Sequence, residues 1–351
     1  MLRARLSRRT FARGAALALA TSYFSRSISP AMAATSPSWQ LLAPDGSGPV
    51  ARWDHTLAAD DSGRHLIVFG GRDANLVSLG DTWLFNLRIR TWTQVDGDGP
   101  SPRFGHVVAV DQRARALYLF GGQHGDTFFN DTWRFDFESG RWRQLDDGLG
   151  QAPSPRYGLG GVLDASGRFL ISHGFTFEGR FDDTWAFDTR ERTWTDLSPV
   201  TGIRPLKRCL HEQVWDPSAR RMLLYGGCSS GFGPCPQGDV WSYDPSARTW
   251  TELTPAGGPA PRSNPSLVWD RSGRRALLFG GLADFGYAGD FWTGEFDDGA
   301  FAWSELAVAG DAPGPRASHD AVITGGRLYL FGGTSNAGTF GDLWRMRLPR
   351  E

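Results

Sequence analysis

A chain of 351 residues with 40% hydrophobic and 21% charged side chains has ordinary globular composition, and its length buries about 75% of the unfolded surface without a disulfide framework. Its 37 basic and 38 acidic residues nearly cancel, and the lack of a basic run excludes a nucleic-acid-backbone binder as the working expectation. Glycine (45) and tryptophan (15) are both abundant, which points to many turns and many repeated packing positions.

Residues 1–33 hold Arg3, Arg5, Arg8, Arg9, Arg13 and Arg26, with no lysine and no acidic residue. Ser7-Arg8-Arg9-Thr10-Phe11 is a twin-arginine pattern, Ala15 to Ala20 is mildly apolar, and Ala31-Met32-Ala33 offers a small-residue cleavage site. The apolar stretch is too short to span a bilayer. Residues 1–33 therefore resemble a twin-arginine export signal, and the expected location is periplasmic or extracellular. Removing them leaves 31 basic against 38 acidic residues, a net charge of −7.

From residue 34 to 351 the chain repeats. Gly70-Gly71, Gly121-Gly122, His173-Gly174, Gly226-Gly227, Gly280-Gly281 and Gly332-Gly333 each end an apolar run, at intervals of 51, 52, 53, 54 and 52 residues. Six units of about fifty residues match one four-stranded propeller blade each. Each unit opens at an arginine (Arg52, Arg103, Arg156, Arg208, Arg262, Arg316), and a first strand and a polar turn follow. A second strand runs into the glycine pair. A longer loop then ends at an aspartate two residues before a tryptophan, as in Asp81/Trp83 and Asp131/Trp133. A second tryptophan opens the fourth strand: Trp92, Trp142, Trp194, Trp250 and Trp303. The spacing places blades at about 52–96, 103–146, 156–198, 208–254, 262–307 and 316–348. The last lacks a fourth strand, and Ser38-Trp39-Gln40-Leu41-Leu42, which matches Thr91 to Val95, is expected to supply it.

The Arg-x-x-His start, the glycine pair, the Asp-x-Trp strand and the closing Thr-Trp resemble the Kelch-repeat family, part of the galactose-oxidase-like propeller superfamily. The resemblance covers residues 34–351 and implies an all-β, six-bladed Kelch-type propeller whose last blade is closed by the N-terminal strand. It also implies a ligand site at one mouth of the central channel.

A residue that recurs in every blade serves a need of every blade. The repeated tryptophans are thus read as packing between blades, and the repeated arginines as forks bonding carbonyls or a carboxylate between blades. The repeated aspartates are read as acceptors of backbone N–H groups. Candidate ligand contacts are the residues that do not repeat, on the face that carries the longer loops. They are Trp53, His124, Phe128, Phe129, Tyr157, His173, Phe177, Glu178, Arg180, Phe232 and Tyr287. Aromatic faces among a few charged groups suit a peptide or a carbohydrate. Cys228 and Cys235, with six residues between them, form a plausible local disulfide for an exported chain. Cys209, opening the neighbouring strand, competes for Cys228, and spacing leaves the connectivity open.

Three enzymatic resemblances are testable on residues. Copper chemistry like that of galactose oxidase needs two tyrosines and two histidines, and only Tyr157 and Tyr287 lie outside strand positions and the signal. The Glu-x-x-x-Asp-x-x-x-His iron motif of nitrile specifiers finds Glu178 and Asp182, but Ala186 stands in place of the histidine. A sugar mutarotase-like site would need an acid and a base, such as Glu178 with Arg180 or His124. The expectation is therefore an exported, monomeric Kelch-repeat binding protein for a protein, peptide or carbohydrate ligand, with no cofactor and no metal. A carbohydrate-active isomerase or lyase is the alternative, and a metal-dependent oxidase comes after it.

Overall fold

The computed structural model describes residues 37–43, 46, 48–60, 62–230 and 235–348. The export signal expected over residues 1–33 and the candidate contact Phe232 lie outside the described residues. All regular elements described are β-strands, so no helix is long and apolar enough to cross a membrane.

Each repeat builds one four-stranded antiparallel sheet. In the first, Thr56–Ala59 pairs with His65–Phe69, which pairs with Thr82–Asn86, which pairs with Thr91–Val95. The second strands read as unbroken apolar runs, and Ala116–Phe120 is buried at all five positions. Both faces of such a strand meet a neighbouring sheet, so the usual alternation disappears. Toward the rim it returns: Trp250 is buried in Thr249–Leu253 while both its neighbours are exposed. The sixth sheet takes three strands from the end of the chain and Trp39–Ala43 from its beginning, with Trp39 opposite Met346 and Leu41 opposite Trp344.

The sheets stack in sequence, with the first strand of each lying beside the first strand of the next and the sixth beside the first. Hydrophobic clusters fill the spaces between neighbouring sheets. The second tryptophan of each repeat bridges such a space, as the repeat pattern predicted. Trp142 stands 5.2 Å from Phe135 of its own sheet and 5.0 Å from Phe69 of the sheet before. Trp39 does the same for the last sheet, 5.9 Å from Phe279 and 6.2 Å from Phe291.

The six arginines are fully buried or nearly so, and each bonds within its own sheet. Arg103 Nη1 donates to Gly121 O at 3.0 Å and to Asp131 Oδ1 at 2.6 Å, while Nη2 donates to Asp131 Oδ2 at 3.0 Å. The expectation that these forks tie one blade to the next is therefore corrected: the chain folds back to place Asp131 beside its own arginine. The repeated aspartates bond the arginine and a tryptophan Nε1–H, as Trp133 does to Asp131 at 2.7 Å, and Asp81, Asp239 and Asp290 also accept a backbone N–H where the loop re-enters the strand. Burial alone would raise the pKa of Asp81, but the hydrogen bonds and charge of Arg52 overcome it and hold the carboxyl low.

Backbone bonds carry the link between sheets. Gly71 N–H donates to Arg103 O at 2.8 Å, and the series continues to Gly333 N–H on Arg52 O at 2.9 Å. The pair needs glycine: at Gly71 φ is +91°, and a Cβ would lie 2.7 Å from Trp53 O. A second series runs through the second residue after each blade arginine. Asp54, Gly105, Gly158, Leu210, Asn264 and Ser318 all have φ between 49° and 62°. Each donates its N–H to the carbonyl of the one before, at 2.7–3.0 Å, and Asp54 donates to Ser318. The result is a closed ring of six hydrogen bonds around the channel.

Strand direction sorts the connections. Loops between the second and third strands, and links to the next sheet, emerge on one face, the long-loop face. Turns between strands one and two, and between three and four, emerge on the other, the short-turn face.

Candidate functional site

On the long-loop face an aromatic ledge spans three repeats. The guanidinium of Arg72 lies 3.7 Å from the centre of the Trp53 ring and 4.1 Å from that of Phe104. Its Nη2 also donates to Asp54 at 2.9 Å. Phe104 meets Tyr157 at 5.9 Å, and Tyr157 meets Phe175 at 5.7 Å and Phe128 at 6.2 Å. Phe177 closes the cluster 4.9 Å from Phe128 and is itself 65% exposed.

Two short hairpins present the outer part. Gln123–His124 pairs with Thr127–Phe128, and Phe175–Thr176 pairs with Gly179–Arg180. Arg180 anchors the second, donating Nε–H to Cys228 O at 3.0 Å and reaching 5.3 Å from the Phe175 ring. Gly105 allows Tyr157 to lie flat against the ring of hydrogen bonds: its φ is +60°, and a Cβ there would meet Tyr157 Cδ2 at 2.5 Å. Burial raises the Tyr157 hydroxyl pKa, so it stays protonated and able to donate.

Of the expected contacts, the structure thus brings Trp53, Phe128, Tyr157, Phe177 and Arg180 together. His124 and Glu178 are exposed on the two hairpin tips. Phe129 turns inward and covers Arg103 at 4.0 Å, the place Phe181 and Phe340 take over Arg156 and Arg316, so it belongs to the repeated brace. His173 is corrected outright. It takes the first position of the glycine pair, at φ 58° and 0% exposure, with its ring 5.2 Å from His211. Tyr287 sits on a separate hairpin in the fifth repeat, paired with Leu282. The ledge also recruits Arg72, Phe104 and Phe175, which sequence reasoning missed. Their signal was proximity to named positions: each lies beside a glycine pair or a blade arginine.

Cys228 and Cys235 are joined, with Cα atoms 4.7 Å apart. Cys209 is free and buried. It meets Cys228 through a backbone pair, Cys209 N–H to Cys228 O at 3.0 Å and Cys228 N–H to Cys209 O at 2.7 Å, and its thiol donates to the same Cys228 O at 3.9 Å.

Beneath the hydrogen-bonded ring lies a channel cavity of about 210 Å³ lined by all six first strands. Its lining includes three carboxylates: Asp54, which is bonded to Arg72, and Glu212 and Asp320 on first strands. Asp320 accepts N–H bonds from Leu57 at 2.6 Å and Ala321 at 2.7 Å. Burial nonetheless pushes it up to about 7. Burial, and then the charge of Asp320, raise Glu212 well above the carboxylate range. Protein surrounds both groups, although each keeps a partly open side. These were also missed. The signal was present: the residue after each repeated histidine is Thr56 or Val107 elsewhere, but an acid in Glu212 and Asp320. The histidines themselves are held neutral, and burial and then Arg52 lower His55 to about 3. Toward the short-turn face the channel widens to about 1030 Å³, lined by Trp215, Trp269, Arg113, Arg190 and Arg271 among others.

The KLHDC2/KLHL20/DRC7 Kelch-repeats domain family matches residues 31–227 and 196–351. Among curated proteins, the chain is 29% identical over 335 residues to an F-box/kelch-repeat protein of Arabidopsis thaliana, covering 82% of this chain and 67% of that one. It is 28% identical over 276 residues to human Kelch domain-containing protein 3, covering 71% and 68%. It is 31% identical over 170 residues to acyl-CoA-binding domain-containing protein 4 of Arabidopsis thaliana, covering 48% of this chain and 25% of the relative. The chain spans about a quarter to a third of the length of the first relatives it matches.

Proposed function

The chain belongs to the Kelch-repeat family, and from that premise we propose that it is an exported binding protein that holds a segment of a partner protein against the long-loop face. The six sheets serve as six blades of one ring, with Trp39–Ala43 completing the last, and residues 1–33 direct export by the twin-arginine route. The ring acts as a monomer, since its site lies on one face of one chain.

The observation that carries this reading is the continuous ledge from Trp53 to Phe177, ending in a phenylalanine left 65% exposed. Large aromatic side chains held rigidly by their neighbours are the usual energetic centre of a protein interface. Exposed carboxylates lie on this face, among them Asp96, Asp98, Asp126, Asp147 and Glu178 in the first three repeats. The segment that fits is therefore extended, apolar at its centre and basic at its flanks. Mature protein should select such peptides from an array. Phe177→Ala should weaken the best of them by roughly five- to thirtyfold, about 1–2 kcal/mol. Unchanged affinity would place the partner elsewhere.

The second reading, a carbohydrate-active isomerase or lyase, is favoured by one observation: Asp320, an acid poised near neutrality in the channel beside Glu212, is suited to proton transfer. Sugar turnover lost in both Glu212→Gln and Asp320→Asn, with Phe177→Ala active, would favour it over the binder.

A further inference from the structure

The short-turn face carries an arrangement that the repeat does not require. At six of its turns the residue in the left-handed region is arginine: Arg90, Arg115, Arg192, Arg220, Arg248 and Arg274, with φ between 49° and 58°. That region disfavours a residue with a Cβ, and the other five turns of the face use glycine there: Gly63, Gly140, Gly167, Gly299 and the pair Gly325-Gly326. All six arginines are exposed. The exposed acids on the same face are Glu138, Glu191, Asp244, Asp297 and Asp298, five against these six arginines and the three described next.

At the centre of this face the channel opens into its wide cavity of about 1030 Å³. Arg113, Arg190 and Arg271 stand at its rim, exposed, and among the described residues no ion pair or side-chain hydrogen bond engages their guanidinium groups. Two of the carboxylates beside them are paired to other arginines, Asp164 to Arg168 and Asp270 to Arg275, and the Oδ1 of all three accepts turn N–H groups. Asp111 accepts the N–H of Arg113 and Ala114, Asp164 that of Ser166, and Asp270 that of Ser272. Trp215 and Trp269 line the cavity with their rings, and the indole nitrogen of each is buried against protein. The mouth thus sets three unpaired guanidinium groups around two aromatic rings.

We propose that this mouth is a second binding site, taking an acidic peptide segment that carries an aromatic or aliphatic side chain. Carboxylates would pair with Arg113, Arg190 and Arg271, and the apolar side chain would enter between Trp215 and Trp269. The concavity selects a chain over a flat anionic surface, which could touch the rim but not reach the indoles. The acidic long-loop face repels the same ligand, so charge alone sorts two partners to two faces. The site is independent of the aromatic ledge.

The test uses mature protein and a short fluorescein-labelled peptide of aspartate and glutamate around one phenylalanine, read by anisotropy. The comparison peptide has asparagine and glutamine in their place. The acidic peptide should bind with an affinity that falls as salt rises. Arg113→Glu/Arg190→Glu/Arg271→Glu should weaken it at least about tenfold, while Phe177→Ala leaves it unchanged. If charge reversal impairs folding, the corresponding glutamine triple variant supplies the same comparison. Equal binding of the two peptides, binding indifferent to the triple variant, or retention on phosphatidylserine vesicles without peptide binding would each overturn the proposal. So would no binding at all.

Discussion

Each repeated arginine sits in a fork whose parts were visible in the sequence but whose pairing was not. Arg103 and Asp131 recur at fixed positions, yet nothing in their spacing says that both belong to one sheet; the fold-back of the third strand does. Because Arg103 is 0% exposed, removing its counter-charge leaves a buried cation. Asp131→Asn should therefore cost about 3–5 kcal/mol in denaturant-measured stability, and a loss well under that would mean the fork braces little. Asp320 makes the opposite case. Its folded pKa is raised from 3.8 to about 7, so the stability it contributes is full below about pH 4 and is lost as pH rises through about 7. The term is on the order of 2–4 kcal/mol, moderated because the carboxyl keeps an open side toward the channel. Between about pH 5 and pH 8 the stability of Asp320→Asn should fall less than that of the unmodified chain, and parallel pH profiles would contradict the assignment. The acid was legible as a departure from Thr56 and Val107 at its repeat position. Its environment was not, because a first strand can face solvent or a channel with the same residues.

At the level of elements, strands were easy to read where landmarks recur and hard where they do not. The four strands of each sheet follow from the arginine, the glycine pair and the two tryptophans. The two-residue hairpins, such as Phe175–Thr176 with Gly179–Arg180, are too short for any periodicity, and they carry most of the ledge. This is why Phe128 and Phe177 were recognisable as non-repeating aromatics while Phe175, their common neighbour, was not. The strand Trp39–Ala43 was legible from its match to Thr91–Val95, and it pairs with Leu343–Arg347. Trp39 is 6% exposed between two sheets. Trp39→Ala should destabilise the protein by about 3–5 kcal/mol, read as a lower denaturation midpoint. An unchanged midpoint would mean that this strand does not hold the sixth sheet.

Across the whole molecule, charge and shape are distributed unequally between two faces. The long-loop face has a narrow, hydrogen-bonded mouth, an aromatic ledge and exposed acids; the short-turn face has a wide mouth and exposed arginines. Net charge hides this separation, since the total is only −1. Partners of opposite charge on the two faces would therefore not compete, and Phe177→Ala, on the long-loop face, is the control for the acidic-peptide experiment.

Repetition carried the fold into plain view. Six copies of the same landmarks demand six equivalent packing environments, and stacked four-stranded sheets with tryptophan between them supply those environments, so the repeated sheets follow from spacing. Single residues are different. Whether His173 faces a ligand or fills a glycine position, whether Phe129 is free or covers Arg103, and which face receives the turn arginines depend on how strands alternate in direction and which neighbours the stacking imposes. Those contacts join residues far apart in the chain, such as Asp320 with Leu57 and Gly333 with Arg52. No local pattern encodes them, because their partners are selected only when the sixth sheet packs against the first.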